Sequence, residues 1–60
     1  MKTIHTKPEL VEAMKQLFAD MFYVGYELER LLGEKEHSDE LIAASGMVRE
    51  WADAIEKETP

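Results

Sequence analysis

Between Leu17 and Leu28 the chain reads Leu17-Phe18-Ala19-Asp20-Met21-Phe22-Tyr23-Val24-Gly25-Tyr26-Glu27-Leu28, and only Asp20 and Glu27 interrupt it with charge. A helix that rests on one neighbour needs an apolar stripe about 100° wide. Set on a helix at roughly 100° per residue, the apolar residues here cover nearly twice that width, with Tyr23 and Tyr26 beyond the edge. The run therefore sets two conditions. It is helical, and it asks for more cover than one short partner helix supplies.

The first helix has legible ends. Thr6 and Glu9 stand at the spacing of a capping box, in which the threonine hydroxyl takes an orphan amide of the first turn. Pro8 falls in that turn, where its missing N–H costs no helical hydrogen bond. Gly33 suits the left-handed conformation that closes a helix. The predicted helix runs from about Lys7 to Leu32. Along it Leu10, Met14, Leu17, Met21, Val24, Leu28 and Leu31 alternate spacings of four and three, a heptad seam that favours nearly antiparallel or parallel packing. A second row lies beside it: Val11, Phe18, Phe22, Gly25 and Leu32.

The polar segment from Gly33 to Ser38 reads as a turn, with Ser38 as cap of a second helix and Asp39 and Glu40 in its first turn, where carboxylates suit the helix dipole. That helix is predicted from about Asp39 to Lys57. Leu41, Ala44, Val48, Trp51 and Ile55 form its seam, with Trp51 as the expected anchor of the hairpin core. Ala43-Ala44-Ser45-Gly46 makes its middle thin, which allows close packing or a kink near Gly46.

Two helices joined by a short turn give an all-α antiparallel hairpin over residues 1–60, one small domain. A chain of this length buries only about 60 % of its unfolded surface, so it usually needs a staple or a partner. With no cysteine, disulfides and thiolate metal sites are excluded, and oligomerisation is the remaining route. The second helix is narrower than the first and is expected to cover the Leu10-to-Leu31 seam. Val11, Phe18, Phe22, Gly25 and Leu32 then form the expected interface of a homodimeric four-helix bundle, two-fold dimers being the commonest oligomers. Gly25 costs up to ~1 kcal/mol inside a helix, so it marks either a close helix crossing or a slight bend.

Thirteen acidic residues against seven basic ones give a formal charge of −6. That weighs against a nonspecific grip on nucleic acid or anionic lipid, both of which need a basic surface. No segment approaches the ~20 apolar residues of a membrane span, and the first residues have no apolar signal core. The expected location is the cytoplasm, which the lack of cysteine fits. Chemistry is sparse. His37 lies among Glu36, Asp39 and Glu40 in no recognised ligand spacing, His5 is isolated in the leading arm, and no nucleophile has a base at hand. No metal, cofactor or enzymatic activity is expected.

Ser38-Asp39-Glu40-Leu41-Ile42-Ala43-Ala44-Ser45 resembles the second helix of the small helical-hairpin phosphatases that dephosphorylate response regulators. Where that family continues Ser-Gln-Glu-Leu-Asp, this chain has Ser45-Gly46-Met47-Val48-Arg49. Only Ser45 carries over; the glutamine and aspartate that would act are absent, so the resemblance implies no phosphatase activity. Size and shape also resemble the Rop-type RNA-binding bundles, at the level of architecture alone.

The functional expectation is a small, acidic, non-enzymatic regulator or adaptor that homodimerises and binds another protein, of the kind that phage and mobile elements use as inhibitors. Phe22, Tyr23, Tyr26 and Arg30 are the expected partner-binding residues, since tyrosine offers large contact area with a polar tip. The alternative is a nucleic-acid mimic, or a nucleic-acid-binding bundle acting on a transcription or replication factor. Direct RNA contact would need Lys7, Lys15, Arg30, Lys35 and Arg49 to align across a dimer.

Overall fold

The computed structural model describes residues 3–58, and the first two residues, which belong to the leading arm expected above, and the last two lie outside it. Two helices, α1 (Lys7–Leu32) and α2 (Lys35–Lys57), pack side by side as an antiparallel hairpin. The Cα atoms span 44 × 23 × 10 Å.

The start of α1 is built as the residues dictate. Thr6 is extended (φ −127°, ψ 161°), and its Oγ1 accepts from the Glu9 amide at 3.2 Å. The same hydroxyl donates to Glu9 Oε1 at 2.9 Å, so the glutamate returns to the threonine side chain. Thr6→Ala is expected to cost about 1 kcal/mol, a fall of about 4–8 °C in thermal midpoint for a domain of this size. A circular-dichroism melt that does not move would show the cap to be idle.

At the other end Gly33 adopts φ 69°. Its amide donates to the Glu29 carbonyl at 2.9 Å and the Glu34 amide to the Leu28 carbonyl at 3.3 Å, which closes α1 and reverses the chain in two residues. The second helix therefore begins at Lys35, not near Asp39. Glu34 stands at its N-cap and makes no side-chain capping bond. The 33–38 turn of the sequence reading is thus too long. A left-handed glycine alone redirects the chain, and Lys35, Glu36 and His37 have nothing that resists a helical turn. The Ser38 amide joins that turn by donating to the Glu34 carbonyl at 3.0 Å.

Ser38 is accordingly no cap. It lies inside α2, wholly buried, as do Ser45 and Ala52. These three small residues recur every seven positions, and so do Val11, Phe18 and Gly25 on α1. A Cβ added to Gly25 would lie 2.8 Å from Ile42 Cγ1 and 3.3 Å from the Ser38 carbonyl oxygen. With Gly25 against Ser38, antiparallel register sets Phe18 level with Ser45 and Val11 level with Ala52. Each level brings a small residue of one helix to the axis of the other, and the two backbones approach closely. Val48 completes the buried apolar set.

This close crossing splits both rows on α1: Met14, Met21 and Leu28 of the expected seam are half-buried, while Phe22 and Leu32 of the second row stay exposed. Val11 (5 % exposed) and Gly25, expected on a free dimer surface, are inside the hairpin, and Phe18 is half-buried beside them. Leu10, Leu17, Val24 and Leu31, expected beneath α2, stand exposed. Trp51 is likewise no core anchor; it sits at an open edge, 53 % exposed. The cause is steric. Helices settle where small residues let them come nearest, and on α1 that line passes through Gly25. The thin stretch of α2 serves the crossing through Ser45, while Gly46 has nothing within 4 Å of where its Cβ would be, and α2 runs unbroken past it.

Candidate interaction surfaces

Two sides of the hairpin differ in what they present. On one, the Arg49 guanidinium lies 5.4 Å from the centre of the Phe18 ring, and Phe18 in turn meets Phe22 at 6.3 Å between centroids, tilted by 47°. Arg49 and Trp51 are about 160° apart around α2. Trp51 therefore projects from the opposite side, the side to which Leu17 and Val24 turn on α1. Heights along the hairpin match as well. Leu17 and Trp51 both fall between the Lys15–Glu56 contact and the Phe18–Arg49 contact. Val24 and Met47 both fall between Phe18–Arg49 and Gly25–Ile42.

The result is one apolar side running the length of the molecule: Leu10, Leu17, Val24 and Leu31 at intervals of seven residues on α1, joined by Met47 and Trp51 on α2. Their exposures range from 38 % at Leu10 to 65 % at Leu31. On α1 the strip is bordered by Asp20, three residues after Leu17 and four before Val24, which lines one depression together with Leu17. On α2 its charges fall at the two ends, at Glu40 near the turn and Glu58 at the open end. Contiguous exposed apolar side chains of this kind make the side a candidate interaction surface.

Of the expected partner-binding residues, Phe22, Tyr23, Tyr26 and Arg30 are all exposed on α1. Phe22, Tyr26 and Arg30 follow at intervals of four, so they share one ridge, with Tyr23 beside Tyr26. Arg30 is not a loose cation. Its Nε donates to Glu27 Oε2 at 2.7 Å, and that bond and the carboxylate's charge hold the guanidinium above its ordinary range. Of the expected dimer residues, Phe22 and Leu32 remain exposed, Phe22 on a different side from Leu17 and Trp51 and Leu32 at the turn end of the Val11–Phe18–Gly25 line.

The basic residues that direct RNA contact would need are in part already engaged. Lys15 Nζ donates to Glu56 Oε2 at 3.0 Å across the open end, and this hydrogen bond, followed by the carboxylate's charge, raises the ammonium above its usual value. Arg30 is held by Glu27 and Arg49 by the face of Phe18.

His37 Nδ1 lies 3.2 Å from Glu34 Oε2 in the first turn of α2. Among the described residues no three histidine or carboxylate side chains converge on a point that could hold a metal ion. Among the described residues, one open depression lies at the open end of the hairpin between Val11, Lys15 and Glu56, and another runs along the outer side of α1, lined by Ile4, Ala13 and Leu17 together with Glu9, Glu12 and Asp20. Ser45, the one residue shared with the phosphatase signature, is buried, and its Oγ donates to the Ile42 carbonyl at 2.6 Å, so it faces no substrate. Among the described residues no helix is long and apolar enough to cross a membrane.

The signal for the apolar side was present as the seven-residue recurrence of Leu10, Leu17, Val24 and Leu31. It was outweighed because those residues also belong to the 4–3 seam that usually faces a partner helix. No family model matches the chain, and no significant match links it to a curated protein or to a solved structure.

Proposed function

We propose that this chain is a small non-enzymatic adaptor or regulator that self-associates and binds another protein. One observation carries the reading: after the hairpin has closed on itself, large apolar and aromatic side chains remain uncovered on two distinct sides. A molecule with one such surface needs one partner. Two surfaces separated by the body of the hairpin suit a device that joins two things. The Phe22–Tyr23–Tyr26 ridge, with Arg30 fixed one turn on, is the side proposed for the foreign protein. Aromatic residues on a rigid helix bring contact area at little entropic cost.

Affinity capture from cell extract tests that ridge, with wild type compared to the Tyr23→Ala/Tyr26→Ala double variant. Both tyrosines are exposed, so the variant is expected to keep its helix content and lose recovered protein. Identical recovery by the two would sink the proposed surface.

A further inference from the structure

Resting on the self-association proposed above, we infer that the side bearing Leu10, Leu17, Val24, Leu31, Met47 and Trp51 is covered by a second copy of this chain, packed face to face about a two-fold axis. Three observations favour a copy over a foreign occupant.

The first is area. A standard interface takes roughly 800 Å² from each partner. The Cα atoms span 44 × 23 Å across the broad side of the hairpin, a footprint of about 1,000 Å² that leaves room for an interface of that size.

The second is charge. The chain carries −6, and two copies repel wherever acidic surfaces meet. Between Leu17, Val24, Met47 and Trp51 the ionisable side chain that helical phase brings nearest is Asp20, at the outer border of the strip. Glu40 and Glu58 stand at its two ends, so the middle of this side is where two acidic copies meet with the fewest carboxylates opposed, and a basic partner finds little there to pair with.

The third is the hairpin's own shortage of core. Among the described residues the fully buried apolar side chains are Val11, Val48 and Ala52. That is a small core for a chain with no disulfide, and domains below about 70–80 residues commonly gain the missing stability by oligomerising. A self-complementary apolar side supplies it at every copy, as closed two-fold symmetry requires.

The face also differs from the Phe22–Tyr23–Tyr26 ridge. A dimer formed this way leaves one ridge free on each copy.

Trp51 reports on the face without mutation. Solution mass by light scattering, read together with Trp51 emission and acrylamide quenching over a dilution series, is expected to show a dimer. Its dissociation should move the emission to the red and open the indole to quencher. Val24→Glu introduces a charge into the centre of the interface and is expected to weaken the dimer by at least about 30-fold, the effect of losing one hot-spot residue. Phe22→Glu, on the other side, is expected to leave the mass unchanged. Should Val24→Glu fail to fold alone, the wild-type dilution series still decides. A dimer in which Trp51 stays fully quenchable, or one split by Phe22→Glu and not by Val24→Glu, overturns this face while leaving self-association standing. A monomer at hundreds of micromolar overturns both.

Discussion

Gly25→Leu is expected to destabilise the chain strongly. A leucine at this position drives side-chain atoms into Ile42 Cγ1, 2.8 Å from where even the first carbon would stand, and into the Ser38 carbonyl oxygen at 3.3 Å. The isoleucine is branched and the carbonyl belongs to the backbone of α2, so neither yields without moving the helices apart. Overpacking of this kind costs about 1–3 kcal/mol, sometimes more. Loss of a helical glycine returns up to ~1 kcal/mol. A single core in so short a chain rarely supplies more than about 3–5 kcal/mol, so the net loss removes a large part of it. Gly25→Ala sets the smaller clash of one carbon against the same helix-propensity gain, and its effect is expected to be much smaller. Urea denaturation of the two variants at matched concentration makes the comparison. A leucine variant as stable as wild type would mean that the helices do not cross closely at Gly25.

Ser38→Ala is expected to act in the opposite direction. The Ser38 hydroxyl is wholly buried, and among the described residues it has no hydrogen-bond partner. A buried hydroxyl left unsatisfied costs about 1–3 kcal/mol, and alanine is also the better helix former. The substitution removes one oxygen from a tight contact and strands no partner. A gain of about 1–2 kcal/mol follows, visible as a rise of roughly 4–8 °C in thermal midpoint for each kcal/mol. Ser45 is the internal contrast. Its Oγ donates to the Ile42 carbonyl, so Ser45→Ala gives up a bond and is not expected to gain as much. A Ser38→Ala midpoint at or below wild type would show that the hydroxyl is satisfied.

The two substitutions lie on opposite sides of one contact, and that contact also separates what was legible in the sequence from what was not. Both ends of α1 were legible because each is set by local chemistry: Thr6 with Glu9 at the start, Gly33 at the end. The hairpin itself followed from two helical segments and little chain between them. The start of α2 was misjudged because Ser38 has the chemistry of a cap and the size of a core filler. Only the position of Gly25 across the interface decides between them. The splitting of both rows has a related cause. Where apolar residues cover nearly half of a helix, hydrophobicity has no sharp centre, and shape decides which line faces the neighbour. The seven-residue recurrence of Ser38, Ser45 and Ala52 against Val11, Phe18 and Gly25 carries that shape. Read as volume, it selects the buried line; read as polarity, it hides it. The aromatic ridge of the candidate site needed no such information, because Tyr23 and Tyr26 lie on the polar side under either choice.

The two-residue reversal at Gly33 and Glu34 also sets an order of events. Gly25 and Ser38 lie close on either side of it, so their meeting closes only a short loop, and short loops cost little entropy to close. Lys15 and Glu56 are separated by most of the molecule and gain proximity only after the intervening levels have formed. The hairpin is accordingly expected to zip from the turn outward. Contacts this local place it among fast-folding topologies. The tightest packing in the fold, where a side chain on Gly25 cannot be accommodated, lies at the end that forms first. Register is thereby settled before the large apolar residues further along have a neighbour to choose.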